Sequence, residues 1–104
     1  MKPIHIGLLG VGTVGGGTAT VLKRNAGEIT RRAGREIRLI QAASRDLAKA
    51  RAALGPEVAL VDDARRIVDN PDVDIVVELI GGDAIAKELV LKAIENGKHV
   101  VTAN

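Results

Sequence analysis

Two hydrophobic rhythms alternate along the chain. Short runs that are apolar on nearly every position recur at Ile4–Leu9, Ile37–Ala43, Val58–Val61, Ile75–Ile80 and His99–Thr102. Their length and β-branched content predict strands. The unbroken run DIVVELI (74–80) predicts one covered on both faces of a parallel sheet. Between these runs the apolar residues space out to three or four. Thr13–Asn25 sets Val14, Val21 and Leu22 on one side, and a second short helix is expected to continue to Ala33, where Gly34 stops it. Asp46–Leu54 ends at Gly55-Pro56, and Asp63–Asn70 opens on acids and ends at Asn70-Pro71. Ala84–Asn96 carries Leu89, Ala93 and Ile94 as a face and closes at Gly97.

Strand alternating with helix means βαβ units and an α/β fold. Right-handed crossovers leave few topologies. The expected one is a doubly wound parallel sheet of the Rossmann type with strand order 3-2-1-4-5. The 104 residues make one domain, without repeats, linkers or low-complexity segments. Sheets of this kind usually continue with another helix and strand, so 1–104 reads as the N-terminal part of a longer protein. An unfinished sheet would leave the fifth strand as an exposed edge.

Composition narrows the picture. The chain is 46% hydrophobic and has no Phe, Tyr or Trp, so its core is Ile, Val, Leu and Ala. Single-stranded nucleic-acid platforms that stack bases on aromatic rings are therefore excluded. The net charge is +2, with no basic run longer than the pairs Arg31-Arg32 and Arg65-Arg66, so no nucleic-acid partner is expected. Without Cys there are no disulfides and no thiol chemistry, which fits a reducing compartment such as the cytoplasm. Residues 3–22 carry no Asp, Glu, Lys or Arg. They also contain six glycines, three threonines and a histidine, and are not expected to span a membrane or form a signal peptide.

Six of the eleven residues in GLLGVGTVGGG (7–17) are glycine. Gly10-Val11-Gly12-Thr13-Val14-Gly15 matches G-x-G-x-x-G after a predicted strand and at the start of a predicted helix, the context that motif requires. Gly10 would make the tight turn, Gly12 would let the backbone approach a pyrophosphate, and Gly15 would let helix and sheet lie close. The amides of Thr13 and Val14 would face the phosphates at the helix N-terminus. These residues are read as the core of a dinucleotide site, the alternative being a tight turn and nothing more.

The end of the second strand bears on which dinucleotide. An acid there accepts from the ribose 2′-hydroxyl of NAD. The chain has Gln41-Ala42-Ala43-Ser44-Arg45-Asp46, with no acid at the strand end. A guanidinium at Arg45 suits a 2′-phosphate, with Lys49 and Arg51 adding charge and Ala43 at the strand end beside it. NADP(H) is therefore the expected cofactor. NAD(H) is the alternative, with Asp46 at the ribose. Arg45 lies thirty positions past Gly15, more than the usual ~20, and the extra helical piece would absorb the difference.

Gly81 and Gly82 follow the fourth strand on the ligand edge, where they permit close approach of a nicotinamide or form a plain turn. Thr102 and Asn104 lie at the carboxyl end of the fifth strand. His5 reads as a sheet histidine, and His99 lies at the opposite edge. Glu78, inside an apolar strand, needs a partner or faces the cleft. Asp62, Asp63, Asp72 and Asp74 read as solvated caps. No metal-ligand spacing is present.

Together IGLLGVGTVGGG, SRDLAKAR, DVDIVVELIGG and ELVLKAIENGKHVVTAN resemble the homoserine dehydrogenase family, over residues 4 to 104. VVELIGG with GKHVVTAN at this separation is the specific part. The resemblance implies reversible NAD(P)H-dependent reduction of aspartate 4-semialdehyde to homoserine, a step of threonine, methionine and isoleucine synthesis. It also implies a homo-oligomeric full-length enzyme. By position it puts Val11 to Val14 at the pyrophosphate, Arg45 at the adenosine phosphate, and Gly81, Gly82 and Thr102 at the nicotinamide. Family members continue past the TAN of Thr102–Asn104 with a lysine, and carry a substrate-binding and dimerising domain. The chain alone is thus expected to bind cofactor without turnover. Many members have Pro after the glycine pair, where this chain has Asp83-Ala84-Ile85-Ala86. The rival readings are the cofactor domain of an aspartate-semialdehyde or diaminopimelate dehydrogenase, and a nucleotide-sensing module without chemistry.

Overall fold

The computed structural model describes residues 2–10, 34–80 and 84–102. Five strands, β1 (Ile4–Leu9), β2 (Ile37–Ala43), β3 (Ala59–Val61), β4 (Ile75–Glu78) and β5 (His99–Thr102), form one sheet in the order β3-β2-β1-β4-β5. Every pairing is parallel, with Leu8 opposite Ala42 on one side and Val77 on the other. The expected topology is the observed one. The expected helices in 13–33 lie outside the described residues.

Both faces of the sheet are covered, which explains the apolar run of β4. On one face Ile6, Leu8, Ala42 and Val77 pack with Ala50 and Leu54 of helix α1 (Leu47–Leu54). On the other, Leu9, Ala43 and Val76 meet Ile67 and Val68 of α2 (Arg65–Val68) and Leu89 and Ala93 of α3 (Ala84–Glu95). Asp46 caps α1 by accepting the Lys49 N–H at 3.0 Å, and Gly55 ends it at φ 83°. Gly97, at φ 79°, ends α3 in a Schellman turn, with Lys98 N–H on Ala93 O and Gly97 N–H on Ile94 O.

Three expectations change. α2 is one turn, not Asp63–Asn70: Asp63 stays outside, its Oδ1 taking the Arg65 N–H, and Asn70 precedes Pro71, where helical backbone is disfavoured. β4 stops at Glu78, and Ile80 is partly exposed. Ile94 is not on the buried face of α3. Ala86, Leu89 and Ala93 form that stripe, and Ile94, one position further round, is 56% exposed.

The amino edge of the sheet is fastened by polar side chains. Asp74 Oδ2 accepts the His5 N–H at 2.8 Å, and Asp74 O accepts the His99 N–H at 3.1 Å, joining β1, β4 and β5. His5 Nδ1 lies 2.9 Å from Asp72 O, a structural contact. The buried Lys98 donates through Nζ to Asn70 O and Val73 O, holding the turn between α2 and β4. Asn96 Nδ2 donates to Val68 O at 2.7 Å, at the same turn.

Gly7 lets the second layer approach this closely. A Cβ on Gly7 would sit 2.5 Å from Ile67 Cγ2 and 3.2 Å from Val73 Cγ1. Ile67 is fully buried and has nowhere to retreat. Gly7→Ala is expected to destabilise the fold by about 1–3 kcal/mol through overpacking. Urea unfolding measures this, and an unchanged midpoint would show that the α2 layer can slide.

Candidate functional site

The carboxyl edge of the sheet opens into a cleft of about 820 Å³, a size that suits a small-molecule or cofactor site. Gly10 stands at its base. Its φ is 96°, a left-handed value that favours glycine, and a Cβ there would lie 3.3 Å from Ile80 Cγ1. Gly10 N–H donates to Ala43 O at 3.0 Å, and Leu79 N–H donates to Leu9 O at 2.9 Å. The end of β1 is thus tied to β2 on one side and to β4 on the other. This is the point where connections leave in opposite directions and ligands bind in open parallel sheets.

The loop after β2 forms one wall. Ser44 N–H donates to Val61 O, and Ser44 Oγ accepts the Asp46 N–H at 3.2 Å, so the loop turns directly into α1. Ala43, Arg45 and Lys49 line the cleft beside Gly10. Beside them, the loop after β3 contributes Asp62, Asp63 and Ala64 and the start of α2 contributes Arg65, while Leu79, Ile80, Ile85 and Leu89 supply apolar surface. The structure therefore gathers Gly10, Ala43, Arg45 and Lys49, four of the thirteen residues expected at the site. Val11, Gly12, Thr13, Val14, Gly15, Gly81 and Gly82 lie outside the described residues. Thr102 ends β5 on the same edge, opposite Glu78, and does not line the cleft. Glu78 is buried, with interactions of its own, and does not line it either.

Arg51 is a correction. Its guanidinium turns to the far end of α1, donating to Gly55 O at 2.7 Å and Val58 O at 2.8 Å. Two residues along a helix rotate a side chain by about 200°, so Lys49 and Arg51 cannot serve the same anion. Arg65 is the cation that sequence reasoning missed. The signal was its place four residues past the end of β3, on the same edge as Arg45.

One charged pair, Glu36 and Arg38, stands apart from the cleft lining. The Arg38 guanidinium, hydrogen-bonded to both carboxylate oxygens of Glu36, holds that carboxyl below its ordinary value. No cluster of three or more His, Cys, Asp or Glu fit to hold a metal ion occurs among the described residues. No helix among them is long and apolar enough to cross a membrane.

The model of the homoserine dehydrogenase NAD-binding domain matches residues 10–104. The chain belongs to that family. It is 64% identical over its whole length to a homoserine dehydrogenase of Methylobacillus glycogenes and 61% identical to one of Neisseria gonorrhoeae. Among solved structures it is similar to a homoserine dehydrogenase from Thiobacillus denitrificans, at 66% identity and a TM-score of 0.89 over the whole chain. The chain spans about a quarter of each of these relatives, 25%, 24% and 24% respectively. In family terms the cleft lies in the nicotinamide-cofactor domain.

Arg51→Ala is expected to lower stability by about 1–2 kcal/mol, because two carbonyls past the end of α1 lose a charged donor. It should leave dinucleotide affinity unchanged. Thermal melts and a nucleotide titration on the same variant check both halves.

Proposed function

We propose that this chain is the cofactor-binding part of a homoserine dehydrogenase and that it prefers NADP(H) to NAD(H). The observation that carries the preference is the pair Arg45 and Lys49 on the wall after β2, with no acid ending that strand. Asp46, the residue that would serve an NAD ribose, has Oδ1 committed to capping α1. A guanidinium binds a phosphate through paired, charge-assisted hydrogen bonds.

The residues present fit such a cofactor. Gly10 leaves the backbone bare at the base of the cleft, Arg45 and Lys49 would hold the adenosine 2′-phosphate, and the glycine-rich sequence after Gly10 would take the pyrophosphate. Gly81, Gly82 and Thr102 would border the nicotinamide. When bound, the nicotinamide supplies or accepts the hydride. The protein's part is to fix its orientation and keep water from it. The substrates would be aspartate 4-semialdehyde and homoserine, and the place of action the cytoplasm. The whole enzyme is proposed to be a homo-oligomer with neither nucleic-acid nor membrane partners.

A fluorescence titration with NADPH and NADH tests the proposal, in a chain free of tryptophan and tyrosine. NADPH is expected to bind more tightly. Arg45→Ala should weaken NADPH by about 10–100-fold while leaving NADH nearly unchanged. Equal losses for both cofactors would place Arg45 away from the 2′ position. Tighter NADH binding by the unaltered chain would reverse the preference.

A further inference from the structure

The charged side chains around the cleft divide into committed and uncommitted groups. Asp46 Oδ1 holds the Lys49 N–H and Asp63 Oδ1 holds the Arg65 N–H. Arg45, Lys49, Arg65 and Asp62 make no side-chain hydrogen bond or ion pair among the described residues. Three cations without a described partner suit an anion. A free carboxylate among them does not, since it repels phosphate. Asp62 is therefore the residue that a purely anionic ligand leaves unexplained.

Its place in the sheet suggests a use. Asp62 directly follows β3, which lies beyond β2 as seen from β1. A dinucleotide with its pyrophosphate at the end of β1 and its adenosine ribose at the end of β2 carries its base onward, toward β3. The base is uncharged, and the exocyclic amino group of adenine is a hydrogen-bond donor. A carboxylate is an acceptor at both oxygens. We propose that Asp62 is a specificity-determining residue that reads the adenine base of the cofactor by accepting from its 6-amino group. This rests on the dinucleotide reading of the cleft.

Adenine differs from hypoxanthine at that position, where hypoxanthine carries a carbonyl oxygen. Two acceptors then face each other and the carboxylate loses its partner, so the contact favours adenine over the analogue. The base-modified cofactor keeps every phosphate, so its discrimination is independent of Arg45.

The experiment titrates NADPH and its reduced hypoxanthine analogue into the unaltered chain, Asp62→Ala and Asp62→Asn. Asp62 is exposed and makes no hydrogen bond or ion pair with another described residue, and matching circular dichroism melts confirm that each variant is folded. The unaltered chain should prefer the adenine cofactor by about tenfold. Asp62→Ala should bring that ratio close to one, mainly by weakening NADPH. Asp62→Asn, whose amide can donate as well as accept, should recover affinity for the hypoxanthine form. A ratio near one in the unaltered chain, or a ratio that Asp62→Ala leaves in place, overturns the proposal while tight NADPH binding still supports the dinucleotide reading. Failure of the folded, unaltered chain to bind either cofactor overturns both.

Discussion

The architecture of the ligand edge depends on how β1 ends. At Gly10 the backbone takes a left-handed turn, donates to the last carbonyl of β2, and passes under Ile80 with no room to spare for a Cβ. One residue earlier, Leu9 O accepts from Leu79 just past β4. These two hydrogen bonds bring the carboxyl ends of three neighbouring strands level. Because β3 pairs with β2 in parallel register, its exit loop opens on the same edge. Arg45 and Arg65, twenty positions apart, thereby come to line one cavity.

The two edges of the sheet use their polar residues in opposite ways. At the amino edge His5, Asn70, Asp74, Asn96 and Lys98 bond to backbone or to each other. Lys98 shows the logic most clearly. Its amine is buried against two carbonyls, satisfying acceptors that would otherwise be lost to water. At the carboxyl edge the charged heads of Arg45, Lys49, Arg65 and Asp62 are left for a ligand. One edge closes the fold and the other remains chemically available. Between them lies a wholly aliphatic core, in which close approach at Gly7 takes the place of large rings as the means of filling space.

Much of this was legible in the sequence, for physical reasons that can be named. β1, β2 and β5 begin and end where their apolar, β-branched runs do, because residues of that kind favour extended, paired backbone. Gly55 and Gly97 marked helix ends because each takes a left-handed conformation. The short α2 was not legible. Its length is set by Pro71 and by side chains of Asp63, Asn96 and Lys98 that grip its flanks, and none of these leaves a periodic trace. Within the site, the partition between Lys49 and Arg51 was hidden because composition treats them alike, and only the turn of the helix sends one to the cleft and the other to carbonyls just past the helix end. Arg65 was passed over because it stood in a basic pair beside Arg66, with nothing local to show that β3 ends at the cleft.

The order of the strands in space differs from their order in the chain, and this has a consequence for biosynthesis. β1 is made first but lies in the middle, and its second neighbour is β4, with Ile6 opposite Ile75 and Leu9 opposite Glu78. While the chain is being synthesised, one flank of β1 stays without its mate until some seventy further residues have left the ribosome. The run IGLL (6–9) is uncharged, and an unpaired aliphatic strand of this kind invites association with other nascent chains. The delay is built into the topology, since a parallel neighbour so far along the chain is slow to find. At the ~5–20 residues per second typical of synthesis, β1 therefore waits several seconds for its second neighbour.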